Sequence, residues 1–371
     1  MRKIVISAVN LNKGGTLSIL RDCLSYLSTN IASEEYEVVA IVYDKKLAFY
    51  PNITYIETQW PKQRWLNRLW FEYVSMKKIS QDLGDVYLWF SLHDTSPFVK
   101  AERQAVYCHN SFFYYRWRLK EFLFAPKIVL FSLFTKYIYK TNIKSNDYVV
   151  VQQEWFRSEF VKMFGLERNK IIISPPERKE EVILANENLV LDKNNISFLF
   201  PASADSHKNF EIIFAAVQLL EERGVSNINI IVTITGDENK YTRWLYEKYN
   251  GLKSIHWIGF LKKSDLLYYY ENVDCLLFPS KVESWGLPIS EFSAYNKPMI
   301  LADLPYAHEA ASGADQVSFF NVNDADQLSG LIKCISEKDY SLFKEIPKLV
   351  LEEPLALGWS QLFSMLLTDK K

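Results

Sequence analysis

Residues 273–291 read VDCLLFPSKVESWGLPISE. The run VDCLLF, closed by Pro279, is a short buried strand. A loop follows it, and Pro288 fits the first turn of a helix, where its missing N–H costs nothing. This strand–loop–helix unit recurs outward in both directions. Around it, strands are predicted over 197–200, 228–235, 255–258 and 299–301, alternating with helices over 210–224, 240–249, 264–271 and 288–295. Toward the N-terminus, strands are predicted over 3–8, 38–43, 53–57, 86–91, 105–108, 148–151 and 171–174. The helices there cover 16–28, 66–82 and 119–139, with one more between 151 and 171. Such alternation predicts parallel sheets covered on both faces. Between the two runs, residues 175–195 hold a Pro pair, many charges and little periodicity, which marks a linker.

The composition agrees. The chain has 371 residues, enough for two domains, with 49% hydrophobic, 23% charged and 15% aromatic residues. That balance excludes a disordered chain, a collagen and a small disulfide scaffold. The net charge of −1 excludes a general nucleic-acid binder. It hides an asymmetry: residues 1–180 carry 26 Lys/Arg against 18 Asp/Glu, and the remainder 17 against 26. Cys23, Cys108, Cys275 and Cys334 form no CxxC pair, so no zinc or disulfide framework is expected. The start MRKIVISAV reads as a strand and not as a secretory signal, and no apolar run reaches the length of a membrane span. A cytoplasmic protein is expected.

Within 279–291, Glu283 lies in the loop and Glu291 early in the helix. Gly286 lets the backbone approach a ligand closely. The free N–H groups of the helix start suit an anion such as a diphosphate. Two carboxylates beside an anion site do not hold phosphate; they accept hydrogen bonds from sugar hydroxyls. Phosphate plus polyol points to a nucleotide sugar.

The Glu-x7-Glu spacing of Glu283 and Glu291, and the text VDCLLFPSKVESWGLPISEFSAYNKPMILADLPYAHEAASGADQVSFFNVNDADQL around it, resemble the retaining family 4 (group 1) glycosyltransferases. So do WIGFLKKSDLLYYYENV with Gly259, Trp359-Ser360 near the end and, more weakly, RKIVISAV with Gly14-Gly15. The resemblance implies a GT-B fold: two Rossmann-like domains with parallel sheets facing across a cleft, and a last helix crossing back to the N-terminal domain. It implies an acceptor domain over 1–180, a donor domain over 181–354 and the returning helix over 355–371.

By the same resemblance Glu283 binds donor-sugar hydroxyls, with amides from Ser284, Trp285, Gly286 and Leu287. Glu291 holds the ribose, Lys208 the phosphates, and His109 meets the sugar or acceptor near the reacting carbon. Gly14 and Gly15 bring the backbone near the diphosphate. Ser203 stands where the family has an arginine, which leaves Lys208 with the helix dipole, or with help from Lys13 or Lys281. A retaining, front-face reaction follows, without cofactor or metal, the leaving phosphate taking the acceptor proton. Asp324-Ala325-Asp326 has the spacing of a metal-binding pair but reads as an acidic helix start. His93 reads as a structural loop residue, and His308-Glu309 lacks the second His of a zinc motif.

Residues 100–145 carry nine Lys/Arg against two Asp/Glu, interleaved with aromatics. They suit an anionic membrane surface, equally single-stranded nucleic acid, or a Rossmann helix with its aromatics in the core. The expected partners are a nucleotide sugar and a glycan or lipid-linked glycan acceptor in bacterial surface-polysaccharide synthesis (lipopolysaccharide O-antigen or capsule), with no nucleic acid. The alternatives are a nucleotide-sugar epimerase or phosphorylase of the same fold, or a non-catalytic glycan-binding subunit.

Overall fold

A computed structural model of the chain describes residues 2–177 and 194–368. Most of the expected linker, residues 178–193, lies outside the described residues. The chain forms two units. One holds the residues up to Asn110, Phe134–Glu177 and the stretch from Leu351 onward. The other holds Ser111–Leu133 and the stretch that ends at Val350.

The first unit contains β1 (Arg2–Ser7), β2 (Tyr36–Val42), β3 (Ile53–Glu57), β4 (Val86–Ser91), β5 (Arg103–Cys108), β6 (Tyr148–Val151) and β7 (Ile171–Ile173). They form one parallel sheet in the order 3-2-1-4-5-6-7. The second unit contains β8 (Ile196–Phe200), β9 (Ile228–Val232), β10 (Ile255–Trp257), β11 (Cys275–Phe278), β12 (Met299–Ala302) and β13 (Val317–Phe320), in the order 10-9-8-11-12-13. Both orders reverse beside their first strand, which is the Rossmann arrangement.

Alternation along the strands builds a core on each face of the first sheet. Ile4, Ile6, Val38, Ala40, Leu88 and Phe90 pack with Leu20 and Leu24 of the helix Gly14–Asn30 and with Leu362, Phe363 and Leu366 of the last helix, Trp359–Leu367. Val5, Val39, Ile41 and Trp89 take the other face, against Phe71 and Met76. Phe363 stacks on Tyr26 at 5.7 Å, and the helix end is held by Tyr87, whose hydroxyl donates to the Leu367 carbonyl at 2.8 Å. The second sheet is lined by the helix Phe210–Glu222, which buries Phe210, Ile213, Phe214 and Val217.

Three expectations needed correction. The helix predicted over 119–139 is two helices, Leu119–Phe124 and Pro126–Lys140. Pro126 lacks the N–H that would continue the first. The helix over 66–82 is interrupted by a π-turn at Phe71–Ser75. The helix Pro305–Ala310 and strand β13 were not anticipated, and both are only four to six residues long. Among the described residues no helix is long and apolar enough to cross a membrane.

Candidate functional site

β8 and β11 are neighbours in the second sheet, paired at Phe198↔Cys275 and Leu199↔Leu276. They flank the point where the strand order turns, and their C-terminal ends open the crevice in which such sheets bind ligands. The loop after β8 carries Ser203, His207 and Lys208, and the loop after β11 carries Lys281, Glu283 and Gly286. Two ties join the loops: the Lys281 amide donates to the His207 carbonyl at 2.8 Å, and Asn209 Nδ2 donates to the Pro279 carbonyl at 3.2 Å.

Lys208 Nζ donates to Glu283 Oε1 at 2.5 Å, and both side chains keep some exposure, 15% and 16%. A cation and a carboxylate that pair at the crevice while still meeting solvent can part for a ligand bearing phosphates and hydroxyls. Gly286 has φ +87°, a left-handed conformation that favours glycine. It starts the helix Leu287–Phe292, in which Pro288 has no N–H and the Ile289 amide donates to the Gly286 carbonyl at 3.0 Å. Trp285 Nε1 donates to Ser290 Oγ at 3.0 Å, pinning the loop to this helix. Glu291 accepts from the Tyr270 hydroxyl at 3.1 Å and pairs closely with Lys263. Burial, and then the Glu291 carboxylate, push the Tyr270 hydroxyl well above its ordinary pKa, so it remains a donor.

Ser203 is exposed, and its hydroxyl donates to Asp205 Oδ2 at 2.7 Å. Lys281, offered above as a second phosphate cation, is otherwise engaged. It is nearly buried, pairs with Glu121, and donates to Glu211 Oε1 at 2.9 Å. Glu121 comes from the segment 111–133, which also packs Phe112 edge-on against His207 at 5.1 Å and Phe124 against Trp244 at 5.0 Å. This positive neighbourhood has a consequence for His207: burial, followed by the charges of Lys208 and Lys281, holds its pKa well below the ordinary imidazole value. Asp324 and Asp326 are both occupied locally. Asp324 Oδ1 accepts from the Gln327 amide at 2.9 Å as a helix cap, and Asp326 Oδ1 accepts from Arg223 Nη2 at 2.5 Å.

The remaining expected residues belong to the first unit. Gly14 and Gly15 open the helix after β1. A methyl group added at either would meet no other heavy atom within 4 Å, and Gly14 has φ +59°. His109 follows β5. Its amide donates to Asp94 Oδ1 at 2.7 Å, and its Nε2 lies 3.5 Å from Asp94 Oδ2. Asp94 also accepts from the Asn110 amide at 3.0 Å and the Tyr139 hydroxyl at 3.0 Å, so one carboxylate fixes the whole exit of β5. His93 is buried against Glu72 at 3.1 Å and is a packing residue.

Lys263, Tyr270, Asp94 and His207 are the residues that sequence reasoning missed. The first two reach Glu291 from a helix 21 to 28 residues upstream, and their text, KSDLLYYYEN, reads as core and surface. The sheet that brings them together leaves no mark in local spacing.

Residues 184–345 match the family described as Glycosyl transferases group 1. The chain is 25% identical over 218 residues to the N,N'-diacetylbacillosaminyl-diphospho-undecaprenol alpha-1,3-N-acetylgalactosaminyltransferase of Campylobacter jejuni, covering 54% of each chain. It is 21% identical over 291 residues to the O-antigen chain mannosyltransferase RfbU of Salmonella typhimurium, covering 77% of this chain and 75% of that one. The match thus spans about half the length of the Campylobacter relative. Among solved structures, sucrose-phosphate synthase from Thermosynechococcus elongatus superimposes with a TM-score of 0.66 at 14% identity, covering 93% and 92% of the two chains. WaaG, a glycosyltransferase involved in lipopolysaccharide biosynthesis, does so with 0.58 at 13% identity, covering 91% and 97%. The chain therefore has the GT-B fold, and its residues 184–345 are similar to the group 1 glycosyl transferases.

Proposed function

We propose that this chain is a retaining glycosyltransferase that moves a sugar from a nucleotide-diphosphate donor to a lipid-linked glycan in bacterial surface-polysaccharide synthesis. The observation that carries the reading is the Lys208–Glu283 pair at the turning point of the second sheet. The names of the Campylobacter and Salmonella relatives support the substrate class.

In this reading the donor diphosphate draws Lys208 away from Glu283. The freed carboxylate then accepts hydrogen bonds from the sugar hydroxyls, beside the amides of residues 284–287. Lys208 and the helix start offset the charge that grows on the departing diphosphate, and we assign no metal or cofactor to that task. Glu291, steadied by Tyr270 and Lys263, takes the ribose hydroxyls. Ser203 leaves the phosphates one cation fewer than the resembled family has. The resemblance assigns His109 to the sugar or acceptor, Gly14 and Gly15 to the diphosphate, residues 1–180 to the acceptor and 181–354 to the donor. The departing phosphate oxygen takes the proton of the attacking hydroxyl, and the new bond forms on the same face, which retains the anomeric configuration.

A thermal-shift screen against a panel of nucleotide sugars tests this. The preferred donor, at about 100 times its Kd, stabilises by roughly 2.7 kcal/mol. Glu283→Gln and Lys208→Met should remove that shift together with slow donor hydrolysis, while leaving the unliganded melting temperature near wild type. Full donor response in both variants contradicts the reading. NMR of the glycoside product decides retention.

A further inference from the structure

Asp94 follows β4 and has φ +69°, a left-handed conformation that residues other than glycine seldom adopt and that clusters at functional sites. Its amide donates to the Tyr107 carbonyl at 3.2 Å and holds the backbone there. The two carboxylate oxygens serve different ends. Oδ1 accepts from three donors: the His109 amide at 2.7 Å, the Asn110 amide at 3.0 Å and the Tyr139 hydroxyl at 3.0 Å. Burial, and then the Asp94 charge, push the Tyr139 hydroxyl well above its ordinary pKa, so it stays a donor. Three donors on one oxygen fix the plane of the carboxylate. Oδ2 is thereby turned to the His109 ring, with Nε2 at 3.5 Å.

The ring has two unlike nitrogens. Nδ1 is buried and has no hydrogen-bond partner among the described residues. Tyr107 braces the ring edge-on, with centroids 5.9 Å apart. A neutral imidazole carries one proton. On Nδ1 that proton would make an orphaned N–H inside the protein, which folded chains rarely leave; a bare lone pair there costs less. On Nε2 the proton faces a carboxylate. It therefore belongs on Nε2. The 3.5 Å separation exceeds the usual N–H···O range, and the His109 and Asp94 side chains keep 10% and 20% exposure. A hydroxyl group arriving from solvent can accept from the Nε2 proton and donate to Oδ2 at once.

We propose that Asp94 is a positioning residue: it fixes His109 with its proton on Nε2, and the two together read one hydroxyl of the sugar or acceptor. This rests on the transferase reading, in which His109 meets those groups, and deepens it. The neutral ring offers the hydroxyl a donor, while its one bare nitrogen is buried and cannot act as a base. That agrees with a departing phosphate that takes the acceptor proton.

Ring-nitrogen NMR of the full chain labelled at histidine, at mildly alkaline pH, reads the tautomer without any substrate, and His109→Gln assigns the signal. The wild type should carry the His109 proton on Nε2. In Asp94→Asn the amide oxygen keeps the three donors and the NH2 group faces Nε2, so the proton should move to Nδ1 in a large share of molecules. The melting temperature should stay near wild type, and kcat/KM for slow donor hydrolysis should fall about tenfold, the effect of one lost hydrogen bond. Three results overturn the proposal: a wild-type proton on Nδ1, a tautomer that Asp94→Asn leaves unchanged, or an inverted tautomer with undiminished turnover. The tautomer is read in the unliganded chain and the transferase reading fails on the donor screen, so the two failures are told apart.

Discussion

His207 shows how a single half-buried side chain couples the candidate site to pH. Its ring lies between two lysines and two aromatic rings, and burial, then Lys208 and Lys281, keep it neutral. Its folded pKa lies below the unfolded value of about 6.5. Above that value neither state binds the proton, and the full stability is present. Below it the unfolded chain takes up a proton that the folded chain refuses, so stability declines as pH falls toward the folded pKa. One such proton gives a slope of at most ~1.4 kcal/mol per pH unit. Urea unfolding of the wild type should weaken over this acidic window, and His207→Gln should flatten the decline. An unchanged slope in the variant would mean that His207 titrates as freely as in the unfolded chain. Nothing in the text SHKNF signals this environment, because Phe112 and Tyr115 arrive from far upstream.

Among the elements, the turn into the helix Leu287–Phe292 was legible. Gly286 and Pro288 state it in three residues: a left-handed residue followed by a proline that can only begin a helix. Gly286→Ala puts a Cβ where φ is +87° and 3.2 Å from Ile289 Cδ1. The left-handed conformation costs a side chain about 1–2 kcal/mol, and the Ile289 methyl must yield as well. We expect a loss of that size in denaturant stability and a weaker donor thermal shift, since Glu283 and Glu291 stand on either side of the turn. A variant equal to wild type in both would show that the loop can relax around the change. The break at Pro126 was written in the sequence too, but a continuous aromatic pattern on both sides of it masked the boundary. The π-turn at Phe71–Ser75 has no comparable signature. It places Glu72 inward beside Arg68 and His93, a pairing that only the packed sheet supplies.

At the scale of the molecule, each unit has its own sheet and its own core, and the first unit is completed by residues more than 250 positions after its first strands. Phe363 is fully buried, stacked on Tyr26 and edge-on to Phe90 at 6.0 Å. Phe363→Ala should cost about 3–5 kcal/mol. Hydrogen exchange should register the loss in β1, β4 and the helix Gly14–Asn30, with β8, β9 and β11 protected as before. Loosening spread evenly over both units would contradict two independent cores. The segment 111–133, read from sequence as part of the first domain, groups with the second unit through Glu121, Phe112 and Phe124.

The sequence alone determined the βα alternation, the parallel sheets it demands and the turn that carries Glu283 and Glu291, because hydrophobic period and backbone preference are written within a few neighbouring residues. Tertiary structure alone decided which side chains meet. Lys208 finds Glu283 across 75 positions, and Lys281 is held by Glu121 from 160 positions upstream. Such pairings follow from strand order and from the crossing of long connections, and a pattern of local spacing does not encode either.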